Sequence, residues 1–139
     1  MLNNTRGRNF IALITTIAVV SLFLRIAVAR IIKFNISQNE SVALLTLKLI
    51  STALENYAKD NHGAYPATFS ALIKTNPSYL DKDYIAESPL KGYNYACSRL
   101  DFSGYSCSAI PVKCNITAKL NYTVTTGALL VSESCGRKD

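Results

Sequence analysis

Apolar residues run almost without interruption from Phe10 to Ile32. At about 1.5 Å rise per residue, a helix of this length covers the roughly 30 Å hydrocarbon core of a lipid bilayer. Its few polar residues do not gather on one side, so the helix is apolar all round, unlike an amphipathic surface helix. The pattern therefore predicts a helix that inserts into a membrane or packs among other apolar helices.

A second pattern covers Gln38 to Lys59, where apolar residues recur at spacings of three and four. This spacing predicts a helix with one buried face, ended by Gly63 and Pro66. Because no proline or glycine lies between positions 10 and 60, the two stretches form either one helix of about 50 residues or two helices with a break near 35–37. The predicted buried face consists of Val42, Leu45, Leu49, Ile50, Ala53, Leu54 and Tyr57.

After Gly92 the spacing changes to the alternation that is typical of strands. Two antiparallel hairpins are predicted. The first turns at 101–104, and the second joins Lys119–Val124 to Ala128–Ser132 through a Thr-Thr-Gly turn. A short helix is expected earlier, at 68–73.

All four cysteines lie in the last third of the chain, without the paired spacing or nearby histidines that bind zinc. An even number of cysteines behind a membrane-inserting segment indicates two disulfide bonds in an oxidising compartment, with three connectivities open. Cys97 and Cys107 are equally distant from Phe102, so they face each other in the first hairpin and can bond. Cys114 and Cys135 flank the second hairpin and can close its open end.

The net charge of +6 is unevenly distributed. Positions 1–33 carry five basic and no acidic side chains, whereas the rest of the chain carries ten basic and nine acidic ones. A nucleic-acid groove needs clustered lysine and arginine, which the nearly neutral C-terminal part lacks. We therefore expect no nucleic-acid partner.

Three fates of the apolar segment stay open. A secretory signal peptide would use 10–24 as its apolar region and 27–29, Ala-Val-Ala, as its cleavage site, leaving a chain that begins at Arg30. Against this fate, Arg25 lies inside the region that should be uncharged, and the apolar character resumes beyond the proposed cut. The other fates are a single-pass anchor and a pilin-type helix.

The run ALENYAKDNHGAYPATFSALI covers positions 53–73. It joins an alanine-rich helix, a polar turn, a Tyr-Pro pair and a short helix. Together with the basic leader, the apolar helix and the cysteine-bearing sheet, this order resembles the type IV pilins and the pseudopilins of type II secretion. The matching residues are Tyr57, Asp60, Asn61, Gly63, Tyr65, Pro66 and Leu72.

The resemblance implies an α+β, pilin-like fold. A long N-terminal helix with an apolar half and an amphipathic half would pack on a small antiparallel sheet that carries two disulfides. The expected organisation is a basic leader at 1–9, a transmembrane or filament-core helix at 10–33, an amphipathic half at 34–62 and a globular head at 63–139.

The implied function is that of a structural subunit of a type IV pilus-like or type II secretion pseudopilus filament. Before assembly it would be anchored in the inner membrane with an extracytoplasmic C-terminal domain, and afterwards it would be part of a surface or periplasmic filament. Its partners would be copies of itself or other pilin subunits, together with a prepilin peptidase and the assembly machinery. The residues expected to pack in the helix core are Leu13, Ile17, Val20 and Leu24.

The N-terminus departs from the family pattern, in which glycine precedes the cleavage point, phenylalanine follows it, and glutamate stands at the fifth mature position. Here Gly7 precedes Arg8, Phe10 comes two residues later, and no glutamate occurs before Glu40. Gly7, Arg8 and Phe10 are thus the candidate processing residues. A subunit without the buried glutamate resembles a minor or tip component more than a major one.

An enzyme and a cofactor are not expected. His62 is the only histidine and stands in a polar Asn-His-Gly turn, which predicts a solvated loop residue. Asp81, Asp83 and Glu87 are oxygen ligands that could hold calcium, but they lack the glycine pattern of an EF-hand and are interpreted as a solvated loop. The alternative to a filament subunit is a secreted or singly anchored extracytoplasmic binding domain that does not polymerise.

Overall fold

The computed structural model describes residues 5–136, with the backbone alone at 5, 6 and 8. The first four residues of the predicted leader and residues 137–139 lie outside the described part. Two helices and four strands follow one another in the order α1 (Thr5–Asp60), α2 (Ala71–Lys74), β1 (Tyr93–Asp101), β2 (Gly104–Pro111), β3 (Leu120–Thr125) and β4 (Leu129–Ser134).

The chain divides into two compact units, Met1–Phe34 and Asn35–Asp139, which we call the helical unit and the head. In the head, the helix packs on a four-stranded antiparallel sheet that carries two disulfide bonds. The predicted α+β class is confirmed. The helix assignment is continuous through positions 35–37, where the sequence also allowed a break.

The face of α1 that is buried in the head agrees with the predicted one only in part: Ile50, Ala53 and Leu54 are buried as predicted. Leu45 and Leu49 were expected in the core but are 62% and 44% exposed, so this part of the prediction is wrong. Ala43 and Leu47, which the prediction omitted, are fully buried. Apolar residues occur on two sides of this helix, and the sheet covers the side whose alanines allow close approach. The buried apolar residues of this face are Ile36, Ala43, Leu47, Ile50, Ala53, Leu54 and Ala58.

The helix α1 ends in a left-handed turn. His62 and Gly63 have φ angles of 56° and 87°, and the Gly63 N–H donates to the Ala58 carbonyl at 2.7 Å. This bond satisfies one of the carbonyls that a helix end leaves unpaired. The turn directs the chain into Tyr65 and Pro66, both of which are buried.

The short helix is later and shorter than predicted. Residues 68–70 form a turn, in which the Ala71 N–H donates to the Thr68 carbonyl at 3.2 Å, and only Ala71–Lys74 is helical. Leu72 is fully buried and anchors the segment to the core.

The sheet has the strand order β1-β2-β3-β4. Both predicted hairpins are present, and in the first one Cys97 is paired with Cys107, as the register predicts. Alternate residues of β1, β2 and β3 point to the helix because side chains alternate between the faces of a strand. The buried residues on this inner face include Tyr93, Tyr95, Tyr105, Cys107, Ala109, Tyr122 and Val124.

Gly92 lies where the backbone before β1 comes close to the helix. Its φ angle is +77°, and a Cβ atom there would lie 3.0 Å from both Asn39 Nδ2 and Thr117 Cβ. Only glycine combines this backbone conformation with so little space.

Candidate functional site

The helical unit presents apolar side chains around its whole circumference. Every residue from 9 to 35 is exposed. The most apolar window of 18 residues in α1 has a mean hydropathy of 2.4, and none of that window is buried. By length and composition, this helix can cross a membrane.

The hydroxyl groups of Thr15, Thr16 and Ser21 in the helical unit are satisfied by the backbone of the same helix. Thr16 Oγ1 donates to the Ala12 carbonyl at 2.6 Å, and Ser21 Oγ donates to the Ile17 carbonyl at 2.8 Å. Thr15 Oγ1 lies within hydrogen-bond distance of the carbonyls of residues 11 and 12. Since an unpaired hydroxyl is costly in an apolar medium, these bonds make the helix surface effectively apolar.

The four residues predicted to pack in a helix core form one stripe along the helical unit. Their spacings of four, three and four residues place them within an arc of about 60°, at about 100° per residue. They are exposed to similar extents: Leu13 59%, Ile17 58%, Val20 51% and Leu24 61%. The stripe is therefore available to a partner, and its role in packing stays a prediction.

The candidate processing residues lie near the N-terminal end of α1. Gly7 is helical and exposed, and Phe10 is 63% exposed. The Arg8 side chain lies outside the described part of the chain. Cleavage at this place stays a prediction.

In the head, one carboxylate joins four parts of the fold. Glu55 of α1 accepts hydrogen bonds from the hydroxyls of Tyr65 at 3.0 Å and Tyr105 at 2.9 Å, and from the Gly127 N–H at 2.8 Å. The Tyr105 hydroxyl in turn accepts from the Ala128 N–H at 3.3 Å. Burial, followed by the hydrogen bond to Glu55, raises the pKa of both tyrosines above its usual value. Glu55 thus links the helix, the loop after it, β2 and the β3–β4 turn.

Glu55 is not among the functional residues predicted from the sequence. A signal was present, because this carboxylate stands between the apolar residues Leu54 and Tyr57 of the amphipathic stretch. Its partners, however, are 10, 50 and 72 positions away in the sequence. The periodicity of the helix could show that the position of this carboxylate is unusual, but it could not identify its hydrogen-bond partners.

A second set of polar contacts holds the start of the head helix. Asn39 Nδ2 donates to the Thr117 carbonyl at 2.9 Å, and Glu40 Oε1 accepts from the Lys119 N–H at 2.8 Å. Both contacts reach the connection between β2 and β3, so that connection is fixed on the helix.

The two disulfide bonds join Cys97 to Cys107 and Cys114 to Cys135, with Cα–Cα distances of 3.9 Å and 5.7 Å. Both predicted pairs are confirmed. The first bond cross-links β1 and β2, and the second cross-links the β2–β3 connection and the residue after β4.

The carboxylates considered for calcium each serve a different local contact. Asp81 accepts from the Tyr84 hydroxyl at 2.9 Å, Asp83 accepts from the Ile85 N–H at 3.0 Å, and Glu87 pairs with Lys82 at 2.7 Å. Within residues 5–136, no three side chains of the metal-binding types come together. His62 is exposed.

Comparisons with the known protein families, with curated proteins and with solved structures find no match for this chain. What the residues build is a small disulfide-bonded domain that carries an apolar helix long enough to anchor it in a membrane.

Proposed function

We propose that this chain is a structural subunit of a filament of the type IV pilus or type II secretion pseudopilus kind. Its apolar helix holds it in the inner membrane before assembly and packs with the helices of other subunits afterwards. The observation that carries the proposal is the stretch 10–24 of the helical unit, which is apolar on all sides and exposed.

The head supports this proposal because its own core is complete. Its helix buries one face on the sheet, and two disulfides stabilise the strands. Disulfide bonds persist in oxidising compartments, so the head is extracytoplasmic. The helical unit is then the part of the chain that needs an apolar partner, and lipid or other apolar helices can supply one.

The self-satisfied hydroxyls and the stripe at 13, 17, 20 and 24 suit both surroundings. In a bundle of helices, side chains at these spacings fill the grooves of a neighbour. In a bilayer they face lipid. Transfer from membrane to filament therefore exchanges one apolar contact for another.

A second function is favoured by Arg25, which interrupts the apolar helix. In a dry bundle of helices an unpaired guanidinium is costly, whereas in a membrane it can draw headgroup phosphates and water towards itself. This residue favours a singly anchored extracytoplasmic domain that does not polymerise.

The experiment that tests the proposal compares sheared surface filaments with membrane fractions from cells of the source organism. Each fraction is analysed by intact mass, with and without reduction. We expect the chain in filaments, beginning near Arg8 or Phe10, with a reduction shift of about four hydrogens for two disulfides. A chain that begins at Arg30 indicates a secreted domain, and a chain found only in membranes indicates the anchored domain; either result overturns the filament proposal.

Matched variants connect filament formation to the helix. Val20→Glu introduces a charge into the stripe and should abolish filaments, whereas Val20→Leu keeps the stripe apolar and should preserve them. Phe102→Glu, at a position that is 69% exposed in the head, serves as the control for added charge. Unchanged filament yield in Val20→Glu contradicts packing through this helix.

A further inference from the structure

The C-terminal third of the helical unit carries three cations. Arg25, Arg30 and Lys33 are all exposed. At about 100° per residue they occupy one side of the helix, within an arc of about 140°. No acidic residue occurs before Glu40, and the Glu40 carboxylate already accepts a hydrogen bond from the Lys119 N–H. The three cations therefore form a positively charged face without a nearby counter-ion in the sequence.

The depth of Arg25 follows from the length of the uncharged stretch. Phe10–Leu24 spans roughly 22 Å as a helix, which is about 8 Å less than the hydrocarbon core of a bilayer. When Phe10 lies at one boundary of the core, Arg25 lies inside the other. Side chains on a helix lean towards its N-terminus, which for Arg25 is towards the bilayer centre. A guanidinium held there draws headgroup phosphates and water inward.

A groove lies beside this guanidinium. It is open, has a volume of about 380 Å³, and is lined by Leu24, Arg25, Val28, Ala29 and Ile32. An apolar groove that contains one arginine matches the two parts of a phospholipid, which are an acyl chain and a phosphate.

Other copies of the chain could offer these cations only carboxylates of the head, because no acidic residue occurs before Glu40. Of the eight acidic side chains in the described residues, seven already accept hydrogen bonds within the head. These seven are Glu40, Glu55, Asp60, Asp81, Asp83, Glu87 and Asp101. Lipid phosphate, in contrast, is present wherever the helix enters a bilayer.

We propose that the helical unit binds an anionic phospholipid, with the phosphate at Arg25 and the acyl chain in the groove beside Ala29. Arg25 holds the phosphate through the two parallel N–H donors of its guanidinium. Arg30 and Lys33 add positive charge at the level of the headgroups. The proposal rests on membrane insertion of the helix and does not depend on filament assembly.

The test uses the full chain, purified in a mild detergent with its disulfides intact. The protein is incubated with equal amounts of phosphatidylglycerol and phosphatidylcholine, and native mass spectrometry then measures the lipid that stays bound. Each cation near a membrane surface contributes about a fivefold preference for anionic lipid. We expect the natural chain to retain phosphatidylglycerol preferentially and the preference to weaken as salt is raised.

The triple variant Arg25→Gln, Arg30→Gln, Lys33→Gln should bind both lipids in their bulk ratio. The control Lys48→Gln, Lys59→Gln, Lys113→Gln removes three exposed cations of the head and should retain the preference. Arg25→Lys keeps the charge but lacks the two parallel donors, so we expect it to lose part of the preference. Because it preserves the charge pattern, this variant tests the site even if the triple variant does not fold.

Two results overturn the proposal. One is a natural chain that binds the two lipids in their bulk ratio. The other is a triple variant that keeps the preference of the natural chain. In the first case, the oligomeric state shows what the cations do instead. If the natural chain is dimeric and the triple variant is monomeric, the cations bind a second copy of the chain.

Discussion

The helical unit and the head both contain apolar helical residues, but they differ in what covers those residues. Leu13 and Val20 of the helical unit are 59% and 51% exposed, whereas Leu47 and Leu54 of the head are fully buried. In the head, the apolar residues at helical spacing meet the inner face of a sheet. In the helical unit they surround the helix, and no single face of one sheet could cover them.

This difference shows that the arrangement of apolar residues determines where they are buried. Apolar residues on one side of a helix can be buried within a small domain, because the helix and the sheet each supply one apolar face. An all-round pattern needs an apolar medium on every side, which only lipid or several other helices provide.

A leucine-to-alanine substitution should lower the stability of the head strongly when it is made in the head and hardly at all when it is made in the helical unit. Leu54→Ala removes a fully buried side chain and leaves a cavity, so the free energy of unfolding of the head should fall by about 4 kcal/mol. Leu22→Ala, at a residue that is 59% exposed, should change it by less than about 0.5 kcal/mol. Denaturant unfolding of the full chain in detergent, followed by the near-ultraviolet tyrosine signal, measures both. Equal losses in the two variants contradict the division into a self-sufficient head and an unpartnered helix.

The disulfides should matter for the head alone. Replacing Cys114 and Cys135 by alanine opens a loop with a sequence separation of 21, and the free energy of unfolding should fall by about 3 kcal/mol. Replacing Cys97 and Cys107 opens a loop with a separation of 10, and its entropic contribution is smaller by about 0.6 kcal/mol. Circular dichroism at low denaturant should show unchanged helix content in the helical unit. Loss of that helix upon reduction would contradict the prediction that the disulfides stabilise only the head.

The Glu55 contacts should stabilise the head through polar groups. Glu55→Ala leaves two tyrosine hydroxyls and the Gly127 N–H without their acceptor, which should lower the free energy of unfolding by about 2 kcal/mol. The neighbouring Asn56 is exposed, so Asn56→Ala is the matched control and should have little effect. The same denaturant measurement compares the two variants. Similar stabilities would show that the Glu55 contacts contribute nothing net.

Ionisation of buried tyrosines should lower the stability of the head at alkaline pH and leave it unchanged at neutral pH. Burial raises the pKa of Tyr93 above its usual value of 10.0, with a further contribution from Tyr122, and burial and Glu55 raise that of Tyr105. Because the folded pKa exceeds the unfolded one, the stabilisation is complete below pH 10 and is lost as the pH rises towards the folded pKa. Each tyrosine contributes a slope of at most about 1.4 kcal/mol per pH unit.

All eight tyrosines lie in the head, so alkaline unfolding should spare the helical unit. Tyrosinate absorbance and circular dichroism, recorded together through a pH titration, separate the two units. We expect the phenols to ionise as the head unfolds while part of the helix signal persists. Tyr93→Phe should reduce the slope of stability against pH, and an unchanged slope argues against this assignment.

The elements that could be predicted from the sequence are those defined by local patterns. The apolar helix, both hairpins and the pairing of Cys97 with Cys107 all follow from spacing, because a strand alternates every two residues and a turn sets the register. The pair Cys114–Cys135 follows from the position of the second hairpin between them. The spacing of residues along the chain was therefore enough to predict the approximate positions of these elements.

The wrong and missing predictions concern choices that local patterns leave open. Leu45 and Leu49 have the spacing of a buried face, but the sheet covers the opposite side of the helix, where Ala43 and Ala58 allow close approach. Gly92 could be seen as a turn residue, but its closeness to Asn39 and Thr117 depends on segments far apart in the chain.

The sequence by itself determined that this protein has an apolar helix for a membrane or a bundle, and a small α+β domain stabilised by two disulfides. Spacing and alternation contain that information, because they reflect the geometry of single elements. Two features follow from the tertiary structure alone. One is the helix face that packs on the sheet, and the other is the set of hydrogen bonds that Glu55 accepts from Tyr65, Tyr105 and Gly127. Those contacts join residues distant along the chain, and they exist only once the helix and the sheet have packed together.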